Sequence, residues 1–344
     1  MTTDILDDIL DQPRMLAAAL QNHLHPESAI DIAVQGILQM RPRRMILTGM
    51  GSSLFAAYPA YLRLLGAGLA AIWIELSELL HYASGQIGPD TLLVVVSQSG
   101  ETVEALRLLA DRRPSGSVLA ITNNAESTLA KNAHWVITTG AGPELTVATK
   151  TYCAALLALT ILAERIVGTT PRELAALLEP AVAAAGTVAT AAQEQINNLA
   201  PEWFAPGPIT LVGRGPALAT ALSGGLLLKE TAKMPAEGMS SAQFRHGPLE
   251  ISGPGHRAIV CAAPGPTLAL DQKLAIELQS HGSRVLLIGS PAPNANIETI
   301  PLPETGGTSL YALIPLQVFA RELAIRQGIT PGAFRFIGKV TTDE

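Results

Sequence analysis

Short apolar runs alternate along the chain with longer stretches in which Ala and Leu recur at helical spacing. Five runs in the first half predict strands, at 44–47, 71–74, 92–96, 117–121 and 134–138. Three runs in the second half predict further strands, at 208–212, 256–261 and 284–288. Strands separated by helices are typical of a parallel sheet covered on both faces. The pattern therefore predicts an α/β protein.

The second half of the chain repeats the first. Gly49 and Gly213 each follow the opening strand of their half, and Gly100 and Gly265 follow a later strand at nearly the same offset. A duplication explains this match better than chance. The prediction is two tandem, doubly wound parallel-sheet lobes of flavodoxin-like type.

The predicted domain boundaries follow from this repeat. Residues 1–168 hold N-terminal helices and the first lobe, ending in a long helix at about 148–167. Residues 169–205 form an Ala/Glu/Leu-rich helical connector, and residues 206–328 form the second lobe. Residues 329–344 are a C-terminal tail.

Composition narrows the functional classes. The chain has 344 residues, 48% of them hydrophobic and 15% charged, with a net charge of −6. Its longest basic cluster is Arg41-Pro42-Arg43-Arg44, which argues against a nucleic-acid-binding face. No apolar run approaches the roughly 18 residues of a membrane span. Asp4, Asp7 and Asp8 stand where a secretory signal would be basic, so we expect a cytoplasmic protein bound to neither membrane nor nucleic acid.

Neither disulfides nor metals are expected. Cys153 and Cys261 both lie in apolar runs, which favours buried free thiols in a reducing compartment over a disulfide. The seven histidines are scattered, without metal-ligand spacing. We expect no metal and no cofactor.

Hydroxyl side chains crowd two strand-to-helix turns of the first lobe. The third strand ends in Ser97, Gln98, Ser99, Gly100, Glu101 and Thr102, and the first strand leads to Ser52 and Ser53. The second lobe has Ala-Ala-Pro-Gly-Pro-Thr at the place equivalent to the first of these turns. Ligands of such sheets bind at the carboxyl ends of the strands, where a helix N-terminus favours a phosphate. The first lobe is thus equipped for an anion and the second is not.

Two other interpretations of these turns remain open. Ser97, Ser99 and Thr102 could be helix-capping residues, although a cap needs only one of them. Gly49-x-Gly51 with Glu75 could open a dinucleotide site, but Leu54 stands where that fingerprint has its third glycine. No Walker motif is present, which argues against ATP hydrolysis.

A carboxylate and an imidazole follow in the second lobe. Glu230 lies in an Ala/Leu-rich helix, and His246 opens a His-Gly-Pro turn. Each alone is typical of a surface position. Together they suit proton transfer between adjacent carbons and at a ring oxygen. Isomerisation through an enediol or enolamine needs these roles and a phosphate anchor.

The Ser97–Thr102 turn, the Lys229–Glu230 pair and the Phe244–Pro248 run together resemble the SIS (sugar isomerase) family. The likeness is to the isomerase half of glucosamine-6-phosphate synthase and to stand-alone SIS-type glucosamine-6-phosphate deaminases, over essentially the whole chain. The interval from Glu230 to His246 matches the family pattern. The terminal segment from Lys339 to Glu344 resembles the family's own.

The resemblance implies a site. The residues that would hold the sugar phosphate are Ser52, Ser53, Ser97, Gln98, Ser99 and Thr102. Glu230 would move a proton between C1 and C2, and Lys339 in the tail would approach the sugar carbonyl and form an imine with the keto form. His246 would assist ring opening from the neighbouring subunit, implying a homodimer with a shared active site. The 143–150 stretch resembles the family's substrate-covering segment but is one residue shorter, and Leu227 replaces a lysine.

The absence of one catalytic half from this sequence reduces the set of reactions that the resemblance implies. It contains no counterpart of the synthase's glutaminase half, so the resemblance implies no ammonia drawn from glutamine. The expected reaction converts glucosamine 6-phosphate to fructose 6-phosphate and ammonia. Cleavage of phosphorylated fructosamines is the alternative, because those enzymes share the same core. A non-catalytic sugar-phosphate sensor is a third possibility, although such a sensor would need only the phosphate loop.

Overall fold

The computed structural model describes residues 4–112, 115–144 and 146–340. They form ten strands: β1 Arg44–Gly49, β2 Ala71–Glu75, β3 Thr91–Val96, β4 Ser117–Thr122, β5 Trp135–Thr138, β6 Ile209–Gly213, β7 Ala236–Ser240, β8 Arg257–Ala262, β9 Arg284–Gly289 and β10 Glu298–Pro301. Their α-helices are α1 Ile5–Leu24, α2 Ala29–Met40, α3 Gly51–Ala56, α4 Tyr58–Gly66, α5 Leu76–His81, α6 Val103–Arg112, α7 Thr128–Lys131, α8 Lys150–Ile166, α9 Pro171–Asn197, α10 Ala217–Ala232, α11 Ser241–Phe244, α12 Leu268–Ser280 and α13 Ile314–Arg326. Short 3-10 helices lie at Ser84–Gln86, Pro201–Phe204, Pro248–Ile251 and Thr308–Leu310.

The described residues belong to two compact units. The first-sheet unit draws on Arg14–Glu144, Lys150–Glu179 and Arg335–Glu344, and so includes the described part of the tail from residue 335. The second-sheet unit draws on Met1–Pro13, Leu145–Thr149 and Pro180–Phe334.

The first sheet is parallel throughout, in the order β2-β1-β3-β4-β5. Its central strand β3 is buried along its whole length, which explains the unbroken apolar run Leu92–Val96. Strand order reverses between β1 and β3, whose last residues, Gly49 and Val96, are register partners. This is the switch point at which ligands bind such sheets.

The second sheet has the same order read from its other end, β10-β9-β8-β6-β7, and is also parallel. Each sheet contributes to a hydrophobic core cluster of its own unit. The predicted fold class, two tandem doubly wound α/β lobes, is confirmed.

All eight predicted strands are present, with shifts of no more than a residue or two at their ends. Strands β7 and β10, the edge strands of the second sheet, are not predicted by the sequence pattern. Each of these strands has one buried residue, and its other residues are half-buried or exposed. An edge strand of this kind needs no apolar run, so hydrophobic periodicity gives it no signal.

Helix α9 corrects one expectation. It is long and apolar enough to cross a membrane by length and composition alone, with a mean hydropathy of 1.5 over 18 residues. The expectation that no stretch reaches this length is wrong by that criterion, because Pro180 interrupts the run in the sequence without ending the helix. Within that window 44% is buried in the protein, and buried core helices meet the same criterion, so the helix is weak evidence for a membrane span.

Candidate functional site

The hydroxyl-rich turn after β3 is closed by its own side chains. Ser97 Oγ lies 2.7 Å from Thr102 Oγ1 and accepts the N–H of Gly100 at 3.1 Å. Ser99 Oγ accepts the N–H of Glu101 at 3.1 Å. These are also the bonds of a helix-capping turn, so the turn geometry alone does not separate capping from anion binding. Since a hydroxyl is a donor as well as an acceptor, the Ser99 hydroxyl can accept this bond and still donate to a ligand.

A second segment fixes the turn from the adjacent strand β4. The carbonyl oxygen of Gln98 accepts bonds from the N–H of Asn123 and the hydroxyl of Thr122, at 3.0 and 3.2 Å. Glu101 is the one acidic residue within the turn. Its carboxylate accepts the N–H of Thr128, at the start of α7, at 2.7 Å. The turn is therefore held before any ligand arrives.

Gly100 is required at the centre of this turn. Its φ of +67° lies in the left-handed region, and a Cβ there would lie 2.1 Å from Ser127 Oγ. Ser127 is completely buried and caps α7, so it cannot move aside cheaply. The close approach brings the first turn of α7 against the turn after β3.

Ser52 and Ser53 lie in the short helix α3, directly after β1. A Cβ on Gly49 would lie 2.7 Å from the carbonyl oxygen of Val96, so the ends of β1 and β3 are in close contact. The structure thus places both predicted phosphate-binding segments at neighbouring strand ends, on the carboxyl edge of the first sheet. The first N–H groups of α6, which begins at Val103, lack partners within the helix. Hydroxyl groups and the N-terminal end of a helix at one edge are suited to bind an anion.

The equivalent edge of the second sheet carries an internal anion. Asp271, 1% exposed in α12, accepts a hydrogen bond from the Ser241 hydroxyl. Arg214, which follows β6, donates to Ser241 Oγ at 3.1 Å and lies 4.0 Å from the Asp271 carboxylate. Burial raises the pKa of Asp271, while the hydrogen bond from Ser241 and the charge of Arg214 oppose that rise. Sequence reasoning missed this cluster. It places a carboxylate of the protein at the edge where the first sheet has its hydroxyl-rich turn.

Glu230 lies half-buried in the last turn of α10, between buried Leu228 and buried Thr231. The helix ends at Lys233, whose φ of +54° is left-handed. Lys233 Nζ donates to the carbonyl oxygens of Glu230 and Ala333, the latter at 2.6 Å. Lys233, another residue that sequence reasoning missed, therefore fixes the backbone next to the predicted proton-transfer carboxylate.

His246 lies in the same unit, on the turn that follows α11. Its N–H donates to the carbonyl oxygen of Gln243 at 2.9 Å, and its side chain is exposed. Gly247, with a φ of +122°, and Pro248 then turn the chain. Packing within the second-sheet unit therefore does not bury the imidazole.

Lys339 lies in the first-sheet unit. Its Nζ donates to a carboxylate oxygen of Glu144 at 2.8 Å. Glu144 belongs to the segment that follows β5, on the same edge of the sheet as the hydroxyl-rich turn. Residues 341–344 and Leu145, which belong to the tail and the substrate-covering segment named from the sequence, lie outside the described residues.

The remaining expectations concern thiols and metals. Cys153 and Cys261 are buried free thiols, and burial raises the pKa of both, that of Cys261 to about 12. Across the described ranges, no group of three or more His, Cys, Asp or Glu is placed to hold a metal ion.

These features define the class: a protein of two repeated parallel α/β lobes, one of which has a hydroxyl-rich turn at its switch point. The chain belongs to the SIS domain family, whose model matches residues 40–165 and 206–326. The family named from the sequence is confirmed.

The chain is 30% identical to glutamine–fructose-6-phosphate aminotransferase [isomerizing] of Aeropyrum pernix, across 99% of this chain and 57% of that protein. The chain thus spans about half the length of the curated relatives it matches.

Two solved structures show the same fold. The C-terminal domain of glucosamine-fructose-6-phosphate aminotransferase from Francisella tularensis superposes with a TM-score of 0.85, at 21% identity over 95% of this chain and 97% of that one. Glucosamine-6-phosphate deaminase from Thermotoga maritima superposes with a TM-score of 0.78, at 22% identity over 98% and 99%. At these identities the likeness establishes the fold alone.

Proposed function

We propose that this protein is a sugar-phosphate isomerase and deaminase that converts glucosamine 6-phosphate to fructose 6-phosphate and ammonia. The observation that carries the proposal is the preformed turn Ser97–Thr102 at the switch point of the first sheet, with Ser52 and Ser53 on the neighbouring strand end. This site suits the phosphate of the sugar. A deaminase and an aminotransferase acting on the same class of sugar share the fold.

The proposed roles follow the chemistry of each side chain. Glu230 is the base that moves a proton between C1 and C2, and His246 assists ring opening. Lys339 approaches the carbonyl carbon. Because His246 is exposed within its own unit, the proposal includes a homodimer in which His246 serves the partner's site. Two buried free thiols suit a protein of the reducing cytoplasm, where we place it.

The proposal is tested by giving purified protein glucosamine 6-phosphate and measuring ammonia and fructose 6-phosphate in separate coupled assays. Equal and steady release of both products is the expected result. Protein carrying Glu230→Gln, purified in parallel, controls for a contaminating deaminase. Silence with glucosamine 6-phosphate would reject that substrate. Release of an amino acid from fructosamine 6-phosphates would then indicate a deglycase, and binding without turnover of either would indicate a sensor.

The anchor is tested by the double variant Ser99→Ala with Thr102→Ala. A hydrogen bond to a charged group contributes about 1.5–3 kcal/mol, so losing two weakens sugar-phosphate affinity by about 10²- to 10⁴-fold. Calorimetric titration with glucosamine 6-phosphate measures this loss. Ser115→Ala, which removes an exposed hydroxyl of the same unit, should leave affinity unchanged. Unaltered affinity of the double variant would place the phosphate elsewhere.

A further inference from the structure

A buried carboxylate lies against the tail lysine. The Glu144 side chain has 0% exposure, and one of its oxygens accepts a bond from Lys339 Nζ at 2.8 Å. That distance is typical of a charge-assisted hydrogen bond between an ammonium and a carboxylate. Burying a carboxylate is costly unless it is paired and hydrogen-bonded, so this pair is a built feature of the first-sheet unit.

The other bonds of Glu144 fix its orientation. Its Oε1 accepts the backbone N–H of Thr151 at 3.2 Å, and its Oε2 accepts the Thr151 hydroxyl at 2.5 Å. Thr151 lies in the first turn of α8, where the helix dipole favours negative charge. The oxygen that receives the Thr151 hydroxyl also receives the ammonium of Lys339. These bonds hold the Glu144 carboxylate in one orientation, and the Glu144 carboxylate in turn positions Lys339.

Lys339 is less exposed than the residues just before it. Those residues are open to solvent, with Phe336 96% and Ile337 57% exposed. The Lys339 side chain is only 25% exposed. A lysine that only kept a tail soluble would extend into water, whereas the Lys339 side chain binds the buried carboxylate of Glu144. The remaining exposed quarter of the side chain gives a small molecule access to it.

We infer that Glu144 is the positioning residue for Lys339, holding its nitrogen at the carboxyl edge of the first sheet and accepting its proton when that nitrogen attacks the sugar. This inference rests on the proposed function. Glu144 places Lys339 and takes up and returns its proton, and it forms no bond to a carbon of the sugar. The fixed carboxylate supplies both the location and the proton acceptor.

The step that this contact serves is imine formation with the keto sugar phosphate, which in the deaminase direction runs in reverse and releases fructose 6-phosphate. The Lys339 ammonium passes one proton to Glu144, leaving a neutral amine and a neutral carboxylic acid. The amine nitrogen attacks the carbonyl carbon of the open-chain keto sugar phosphate and gives a carbinolamine. The proton held by Glu144 returns to the departing hydroxyl, which leaves as water, and the carbon–nitrogen double bond forms. The net change is carbonyl plus amine to imine plus water, so no further reactant is needed.

A purely structural ion pair is the competing explanation, and it makes a different prediction. If Glu144 only anchored the tail, replacing it would lower the melting temperature or loosen the tail. It would not selectively slow the attack of Lys339 in a protein that still binds the sugar phosphate. The tests must therefore separate kcat from KM and observe the lysine directly.

The first measurement needs no substrate. Reductive methylation of the protein at one fixed pH, followed by peptide mass spectrometry, compares Lys339 with Lys131, which is 62% exposed and belongs to the same unit. Lys339 is expected to react more slowly in the unaltered protein. Glu144→Gln should speed its methylation several-fold relative to Lys131, because no carboxylate then holds the nitrogen. Glu164→Gln, a matched change at the carboxylate that pairs with Arg63, should leave the ratio unchanged.

The second measurement follows the reaction. Glu144→Gln is expected to lower kcat on the order of 10²-fold with KM nearly unchanged, the loss typical of a displaced reacting group. Borohydride should trap fructose 6-phosphate on Lys339 in the unaltered protein and correspondingly less in the variant. Glu144→Asp retains a carboxylate and should recover part of the lost kcat. If Glu144→Gln fails to fold, Glu144→Asp takes its place in both measurements, kcat and trapping at Lys339.

The outcomes distinguish a failure of the role inferred for Glu144 from a failure of the proposed function. An active protein in which kcat and trapping at Lys339 are unchanged by Glu144→Gln would overturn the role of Glu144 alone. So would equal methylation of Lys339 and Lys131 in the unaltered protein. If the unaltered protein neither turns over sugar phosphates nor traps one at Lys339, the proposed function fails, and this inference fails with it.

Discussion

Glu230→Gln is expected to lower kcat on the order of 10³-fold while leaving KM for glucosamine 6-phosphate nearly unchanged. The glutamine keeps the size of the side chain and its place in the last turn of α10. It cannot accept a proton from C2 and return it to C1. Since the proposed phosphate anchor belongs to the first sheet, ground-state binding should survive the change.

Two measurements check this result. Steady-state assays give kcat and KM, and exchange of solvent deuterium into the sugar at C2 reports the proton transfer itself. Glu237→Gln is the matched control, because Glu237 is an exposed carboxylate of the same unit and has no assigned role. Glu230→Gln protein that turns over at the unaltered rate would exclude Glu230 as the proton shuttle.

The same variant tests the shared site of the proposed homodimer. Glu230→Gln and His246→Asn subunits should each be inactive alone. If His246 serves the partner's site, a mixed dimer holds one site with both changes and one site with neither. Mixing and re-equilibrating the two inactive proteins should therefore restore activity. A mixture that stays inactive although mixed dimers form would place both residues in one subunit's site.

The sequence was a good guide to the fold wherever strands are buried on both faces. An unbroken run such as Leu92–Val96 follows from burial, so periodicity could locate β3 and its counterpart β8. The edge strand β7 reads Ala-Glu-Gly-Met-Ser, with one buried residue and no apolar run. Its position in the sheet depends on pairing with β6, which is a tertiary fact. The local sequence pattern could therefore not predict β7.

Part of the candidate site could likewise be predicted from the sequence, and part of it could not. The Ser97–Thr102 turn could be identified because its chemistry is contiguous in the chain and follows a strand. The contact between Glu144 and Lys339 joins residues 195 positions apart. A Glu in a loop and a Lys near a terminus each look like solvated charges until folding brings them together. The Asp271 cluster was hidden for the same reason, since its members follow three different strands.

The largest effect on stability is expected where α10 packs on β7. A Cβ added to Gly238 would lie 2.2 Å from the carbonyl oxygen of Ala221, and one added to Gly225 would lie 2.6 Å from the backbone nitrogen of Gly238. These obstructing atoms are backbone, so no side-chain rotation relieves the contact. Helix α10 would have to move away from β7 and take Glu230 with it.

Gly238→Ala should therefore cost about 3 kcal/mol, the upper end of overpacking penalties, and Gly238→Val should leave no cooperative melting transition for the second-sheet unit. Thermal melting followed by circular dichroism measures both. Gly186→Ala is the matched control in the same unit, since its added methyl would meet only Pro13 Cβ at 3.8 Å, an ordinary contact. That change lies inside α9 and should stabilise by about 0.5–1 kcal/mol. If Gly238→Ala melts at the unaltered temperature, helix and strand are not in this close contact, and the placement of Glu230 by β7 is wrong.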